Sequence, residues 1–289
     1  MRSAVPVRRI TFICLALLAW ASDAHAGPWT KGLGEFYVKV GEGFFLSDSY
    51  VDSTGKTVEG TSYLGATTSI YAEVGIYKGL QLIAYLPYTI AQNTFSSGRV
   101  DSALNVGGGD AVFAVQYSPP LPISFPFALK VDVKVPLYDV GGIKGFDANS
   151  FPAFGDGQVD VGFWVSAGHS LGSIPLYFFA EVGYRLRTEA FIGTGNSNSF
   201  ADGFVFSAQI GYTLFKRVLL AANVGGVVAF DMSDTSLEGQ VTKSYITVGP
   251  SLYIPLWRGL AAEASFDPIV YSRNSAAGMG FSFGLSYKR

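Results

Sequence analysis

The chain has 289 residues, of which 49% are hydrophobic and only 15% charged, with a formal net charge of −2 and a mean hydropathy of +0.30. The absence of a basic surplus argues against a nucleic-acid partner. The single cysteine, Cys14, excludes a framework of disulfides within the chain.

The first 26 residues have the pattern of an export signal. Arginines within the first nine residues form a basic region, the stretch ITFICLALLAW that follows is apolar, and AHA precedes a junction after Ala26. The apolar stretch is too short to span a bilayer as a helix. We therefore expect residues 1–26 to be removed on export, and residues 27–289 to form one domain.

The rest of the chain is apolar but contains no stretch near the ~18 residues that a membrane-spanning helix needs. Inside a bilayer every backbone polar group must be paired, so a closed β-barrel is the remaining way for such a chain to cross. Twelve segments of alternating polarity fit its strands. They run at 34–45, 62–77, 79–90, 108–118, 125–138, 156–170, 175–187, 203–215, 218–231, 243–256, 260–268 and 277–288.

The connections between these segments alternate in length. The short ones are residue 78 and residues 119–124, 172–174, 216–217 and 257–259. The long ones are residues 46–61, 91–107, 139–155, 188–202, 232–242 and 269–276. Short turns at one rim and long loops at the other are typical of bacterial outer-membrane barrels. The predicted fold is therefore an all-β, transmembrane, antiparallel β-barrel of twelve strands, with both termini on the periplasmic side.

The segment ALKVDVKVPLYDV, residues 128–140, predicts which face of a strand meets lipid. Its valines alternate with Lys130, Asp132 and Lys134, so one face is apolar and the other charged. In a soluble protein the valines would line the core. In a membrane barrel they face lipid and the charges face the lumen, where neighbouring opposite charges are expected to offset one another. A lysine at the lipid midplane would cost about 2–4 kcal/mol, so the pattern fixes the register.

The same alternation in the other segments selects the charged residues of the lumen. The candidates for lining the lumen and contacting a solute are Lys39, Glu73, Lys130, Asp132, Lys134, Asp160, Glu181 and Arg185. Two interpretations stay open. The charges either line a path for a solute, or they pair with one another and close the interior.

Aromatic residues near the strand ends predict two bands at the membrane interfaces. The predicted periplasmic band is Tyr77, Tyr117, Phe127, Phe215, Tyr253 and Trp257, and the predicted outer band is Phe44, Phe45, Tyr88, Tyr138, Phe204 and Tyr271. Prolines cannot donate to a strand ladder, so we expect a bulge or a strand end near Pro87, Pro136 and Pro250.

Four segments together resemble a known family. They are WTKGLGEFYVKVG (29–41), PFALKVDVKVPLYD (126–139), FGDGQVDVGFWVSAGHSL (154–171) and PLYFFAEVGYRLR (175–187). This pattern is similar to the outer-membrane transporters of the MetA-pathway phenol-degradation family, which distantly resemble the long-chain fatty-acid transporter barrels. The resemblance implies transport of small compounds, hydrophobic or aromatic ones among them.

The leading hypothesis is an outer-membrane channel or transporter for small solutes with a narrow, charged lumen. Barrels of ~8 strands are filled by side chains and those of 16–18 are open, so twelve strands predict a narrow passage. Its expected partners are outer-membrane lipid, a small solute and the barrel-assembly machinery, while the oligomeric state is left open. A structural or adhesion barrel with a plugged interior is the alternative, in which the outer loops do the binding. The richest of these loops, residues 141–157, is either a capture loop for an apolar substrate, an inward-folded constriction or a plain loop.

An enzyme is the third class of function to consider. His169 is the one histidine after residue 26 and lies near a predicted periplasmic turn, away from any serine of a long loop. Zinc and nucleophile–base sites need more histidine or cysteine than this. A bare carboxylate pair is the remaining option for catalysis among the acidic residues in or near the outer loops. These residues also fit solvated charges or divalent-cation contacts to anionic lipid, and they are Asp139, Asp147, Asp156, Glu189 and Asp202. We predict no enzymatic activity, no cofactor and no metal ion. A soluble barrel or sandwich is the alternative fold, although it would expose large apolar patches.

Overall fold

A computed structural model describes residues 27–96, 102–120, 125–138, 152, 154–191, 200–215, 217–230 and 242–289. The expected export signal, Asp139, Asp147 and the side chain of Glu189 lie outside this description. Among the described residues there is no helix of the length and apolarity needed to cross a membrane.

The described residues form thirteen β-strands in a single sheet. The strands are β1 Phe36–Val51, β2 Thr57–Tyr77, β3 Leu80–Phe95, β4 Ser102–Gly108, β5 Asp110–Tyr117, β6 Phe127–Pro136, β7 Gln158–Leu171, β8 Leu176–Phe191, β9 Gly203–Leu214, β10 Val218–Ala229, β11 Ser244–Trp257, β12 Leu260–Arg273 and β13 Ser275–Lys288.

Antiparallel pairing closes this sheet on itself. Except for β4 and β5, each strand pairs with its neighbours in sequence, and β1 pairs with both β2 and β13. Strands β4 and β5 are two parts of one interrupted strand, because β3 pairs with β4 along one half and with β5 along the other. The predicted fold class, a closed transmembrane antiparallel barrel of twelve strands, is confirmed. Both ends, Phe36 and Lys288, lie at the rim with the short turns, which we call the turn rim; the opposite end is the loop rim.

The interruption of the fourth strand lies beside a proline, as the sequence predicts. Pro87 stands within β3, and the backbone N–H of Gly109, between β4 and β5, donates to its carbonyl at 3.1 Å. The bulge is therefore on the strand next to the proline. Pro136 is the last residue of β6. Pro250 lies inside β11, where the recorded pairing with β12 passes from Thr247 directly to Ser251.

Three predicted long loops are shorter in the structure, and the predictions for them are wrong. Strands β1 and β2 extend to a turn at residues 52–56. Strands β12 and β13 are separated only by Asn274, which has a φ of 51°. Much of the predicted loop 91–107 belongs to β3 and β4. Above the lipid both faces of a strand meet water, so the alternation of polarity ends while the ladder of backbone hydrogen bonds continues.

The alternation places the valines of β6 outside and its charges inside, as expected for a membrane barrel. Val131 is 45% exposed and Lys130 only 8%. The other strands repeat this arrangement, with Leu82, Phe163 and Ile210 on the outer surface. The outer wall is thus apolar and exposed.

Most residues of the two predicted aromatic bands lie on this outer wall, but three do not. Tyr253 borders the cavity inside the barrel. Phe45 packs against Tyr63 across the β1–β2 pair, on the inward-facing set of side chains. The hydroxyl of Tyr138 donates to Asp110 at 3.0 Å. These three predictions are wrong because nearness to a strand end does not decide on which side of the wall a ring lies.

Candidate functional site

The inner wall of the barrel is divided into a charged part and a neutral part. Strands β1–β8 carry most of the inward-facing ionic side chains and their pairs. The inward positions of β9–β11, which we call the neutral wall, are small or uncharged: Val205, Ser207, Gln209, Leu219, Asn223, Gly225, Val227, Thr247 and Ser251. Open space is therefore left along the neutral wall, while long side chains fill the opposite side.

The charged row of β6 finds its partners on other strands. The ammonium of Lys130 lies 2.9 Å from a carboxylate oxygen of Glu181 on β8, and it passes 4.5 Å from the ring centroid of Trp164 on β7. The indole N–H of Trp164 donates to the carboxylate of Asp132. From the sequence, we expected opposite charges on β6 to compensate one another along the strand. In the structure they are compensated by contacts with residues of β7 and β8 instead.

Nearer the loop rim, a cluster of ions joins four strands. Lys134 lies 2.9 Å from Asp160 and 3.3 Å from Asp110, and Arg187 bridges Asp160 at 3.3 Å and Asp156. These side chains are largely buried, with Asp160 only 1% exposed. The arrangement ties β5, β6, β7 and β8 together on the inside of the wall.

Asp156, just before β7, extends this cluster beyond the strands. Its carboxylate lies 3.3 Å from the ammonium of Lys243 and also pairs with Arg187. Burial alone would raise the pKa of Asp156, but the positive charges of Lys243 and then Arg187 hold it well below its usual range. Burial alone would lower the pKa of Lys243, but the charge of Asp156 and its hydrogen bond, together with Tyr245, raise the pKa above its usual value. Asp156 and Lys243 are therefore both charged at neutral pH and link two segments at the loop rim.

On the other side of the barrel Lys39 reaches across β13 to β12. Its ammonium lies 3.2 Å from Glu263, which also accepts a hydrogen bond from the hydroxyl of Tyr37. Gly284 lies between them, and a Cβ there would stand 3.0 Å from the Lys39 side chain. The small inward residues of β13 thus leave a path for this ion pair.

Residues 27–35, the N-terminal segment, run inside the barrel near the turn rim. Lys31 pairs with Glu73 of β2 at 2.8 Å, and its backbone N–H donates to Gln81 of β3 at 2.8 Å. Gln116 of β5 donates to the carbonyl of Gly27 at 2.9 Å. The ring of Trp29 then makes edge contacts with Tyr177 and Phe179 of β8, with centroids 6.0 and 6.2 Å away. The segment therefore crosses the lumen from β2 to β8.

Arg185 of β8 differs from the other cations of the interior. It is half-buried, its Nε is buried without a hydrogen-bond partner, and no ion pair is recorded for it within the described residues. It borders a cavity of about 570 Å³ that follows the neutral wall. Aromatic side chains of Tyr37, Trp164, Tyr177, Phe179, Tyr245 and Tyr253 also line this cavity.

All eight candidate residues from the sequence lie on the inner face. Seven are buried, namely Lys39, Glu73, Lys130, Asp132, Lys134, Asp160 and Glu181, and Arg185 borders the cavity. The structure brings the seven buried residues into four groups, none of which includes Arg185: the Lys130–Glu181–Asp132 contacts around Trp164, the Lys134–Asp160 cluster, the Lys39–Glu263 pair and the Lys31–Glu73 pair. Their role toward a solute stays a prediction.

Several residues of the interior were not selected from the sequence. Arg187 stands on the same face of β8 as Glu181 and Arg185, and Glu263 stands on the inward face of β12, so the same alternation would have found both. Trp29 and Lys31 precede the first strand, where no period applies. His169 points away from the cavity and lies 6.3 Å from the ring of Phe178. Within the described ranges, no three His, Cys, Asp or Glu residues are placed to hold a metal ion.

Comparisons with known proteins give a likeness in structure. No protein-family model matches the sequence, and no curated protein matches it. An outer-membrane channel from Pseudomonas putida F1 is similar over 93% of this chain and 100% of its own, with a TM-score of 0.65 and 12% identity. The translocator domain of the autotransporter NalP from Neisseria meningitidis is similar over 97% of this chain and 93% of its own, with a TM-score of 0.51 and 11% identity. At such identities the likeness concerns the fold, and this fold is that of outer-membrane barrels.

Proposed function

We propose that this protein is an outer-membrane channel or transporter that passes small solutes through the barrel interior. The observation that carries the proposal is the cavity of about 570 Å³ inside a closed wall whose outer surface is apolar and whose inner surface is polar. Such a wall hides every strand edge and presents hydrocarbon to lipid. The similarity of the fold to an outer-membrane channel supports the same conclusion.

The dimensions and lining of the cavity favour a small solute with an apolar part. Cavities of ~300–1,000 Å³ accommodate ligands of this kind. Aromatic side chains such as Trp164, Tyr177 and Phe179 offer faces for stacking, and Ser207, Gln209 and other polar residues of the neutral wall offer hydrogen bonds. The eight charged residues selected from the sequence form the opposite wall, where they shape the passage. We propose lipid, the solute and the barrel-assembly machinery as partners.

A structural barrel with a closed interior is the second candidate, and one feature favours it. The N-terminal segment crosses the lumen near the turn rim and is fixed there by Lys31 and Trp29. Passage of a solute therefore requires this segment to move or the solute to pass beside it. Enzymatic activity has no comparable support, since the described residues contain a single histidine and it lies away from the cavity.

Conductance in planar lipid bilayers separates the two candidates. Purified protein is added to a bilayer in KCl, and a channel gives discrete, reproducible current steps that are smaller than those of wide porins. Swelling of proteoliposomes in sugars of increasing size then measures the width of the passage. A silent bilayer together with vesicles that exclude even the smallest sugar would contradict transport and favour the closed barrel.

A further inference from the structure

The unpaired cation in the lumen, Arg185, requires an explanation. Within the described part of the chain Lys31, Lys39, Lys130, Lys134 and Arg187 each have a carboxylate within 4 Å, whereas no such contact is recorded for Arg185. A guanidinium stays charged at every physiological pH. A charge held away from bulk water without a partner is unfavourable, so the site favours an anion supplied from outside the chain.

The neighbours of Arg185 in the sheet leave space in front of it. Its ladder partners are Gly162 on β7 and Gly203 on β9, and the next inward position on its own strand is Gly183. The carboxylate of Asp132 already occupies the space over Gly162, where an added Cβ would meet it at 2.6 Å. On the β9 side the inward positions Gly203, Val205 and Ser207 carry no charge. An anion therefore reaches Arg185 from the cavity.

An aromatic face lies next to the guanidinium. The ring of Trp164 covers Gly183, where an added Cβ would meet it at 2.8 Å. Tyr177 and Phe179 continue the aromatic lining of the cavity toward the turn rim. A ligand with its anionic group at Arg185 would thus place the remainder of its body against rings, which favours a planar apolar body.

We propose that Arg185 is the anion-binding residue of the cavity, and that the solute class of the proposed channel is small aromatic monocarboxylates. This inference rests on the proposed function and names its substrate. The carboxylate accepts two parallel hydrogen bonds from the guanidinium, which matches its geometry. The ring stacks along Trp164. The carboxylate of Asp132 lies over Gly162, the ladder partner of Arg185, and disfavours a second negative charge there, which selects monoanions over dianions.

Calorimetric titration of the detergent-solubilised protein tests this assignment with benzoate as the probe. Benzamide, which has the ring without the charge, and acetate, which has the charge without the ring, are compared with it. Benzoate is expected to bind more tightly than both. Arg185→Gln is expected to weaken benzoate binding roughly 30-fold and to leave benzamide binding unchanged. Arg217→Gln, which removes a charge at the turn between β9 and β10, is the matched control and is expected to retain benzoate binding.

The folding of each variant and the affinity of Arg185→Lys are two further tests of the role of Arg185. Heat-modifiable gel migration establishes that each variant folds, and Arg185→Lys, which keeps the charge but loses the planar fork, is expected to show intermediate affinity. Equal affinity for benzoate and benzamide, or unchanged benzoate binding by Arg185→Gln, would overturn the proposal. Bilayer conductance in KCl, measured on the same proteins, separates the hypothesis about the solute class from the hypothesis that the protein is a channel. A conducting barrel without selective benzoate binding refutes only the solute class, whereas a silent barrel refutes the channel.

Discussion

Glu181 and Lys130 illustrate how single residues depend on one another inside the barrel. The Glu181 side chain is 1% exposed, and it contacts both Lys130 at 2.9 Å and the hydroxyl of Ser207 at 3.2 Å. Two buried ions stabilise each other only as a pair, because each alone would retain its desolvation penalty. The contribution of one residue to the stability of the barrel therefore depends on its partner on another strand.

Removal of one ion of this pair is expected to destabilise the barrel strongly. Glu181→Gln leaves Lys130 buried without its carboxylate, at a cost of about 3–5 kcal/mol. Unfolding by guanidinium chloride in phospholipid vesicles measures the change. The double variant Lys130→Met/Glu181→Gln is the control and is expected to regain most of the loss. A double variant that is less stable than Glu181→Gln would contradict this account of the pair.

The outer face gives a second prediction for single residues. Val131 lies on the lipid-facing side near the middle of β6. Val131→Lys is expected to cost about 2–4 kcal/mol in unfolding experiments in vesicles, since an ammonium then enters the apolar layer. Val58, an exposed residue of β2 near the loop rim, is the matched position, where the same change costs about 0–1 kcal/mol. Equal losses at both positions would mean that the wall does not face lipid as described.

Among the elements, strands with one dry face were predictable from the sequence and the others were not. The alternation in β6 and β7 gave both strands and their faces, because lipid and lumen impose opposite polarity on the two sides. Strand β4 was missed, since its SALNVGG sequence lacks that alternation. Ion pairs such as Lys39–Glu263 could not be predicted either. They depend on the stagger between strands, which no single strand encodes.

The N-terminal segment is the element whose movement we expect to control passage. Trp29→Ala removes two ring contacts worth about 0.5–1.5 kcal/mol each and so weakens the attachment of the segment to β8. The expected result is a higher mean conductance, measured on single channels in planar bilayers. Trp257→Ala, which changes an exposed ring at the turn rim, is the control. If both variants conduct like the parent protein, the segment does not limit the passage.

The ion cluster at the loop rim predicts a defined response to pH. The pKa of Asp156 is depressed in the folded protein. Its contribution to stability is therefore present above the unfolded pKa of about 3.9 and is lost as the pH falls through the lower folded pKa. Lys243→Gln is expected to raise the pKa of Asp156, so that its contribution to stability is smaller and is fully lost at a higher pH. Carbon NMR of the Asp156 carboxyl measures this, with Lys56→Gln as a control; an unchanged titration in Lys243→Gln would contradict it.

On the scale of the whole molecule, the division of the inner wall explains how a closed barrel holds both a rigid interior and a cavity. The ion pairs of β1–β8 fill one side and link neighbouring strands. The small residues of β9–β11 leave the other side open. The path proposed for a solute therefore runs along the neutral wall, past Arg185 and Trp164, toward the N-terminal segment.

Labelling of single cysteines during conductance recording tests this path most directly. The described residues contain no cysteine, so each introduced one reports alone. Ser251→Cys places a thiol on the neutral wall, and Ile210→Cys places one among the lipid-facing positions of β9. A water-soluble, negatively charged methanethiosulfonate reagent is expected to reduce the current through Ser251→Cys and to leave Ile210→Cys unchanged. Currents that fall only in Ile210→Cys, or in neither variant, would contradict passage along the neutral wall.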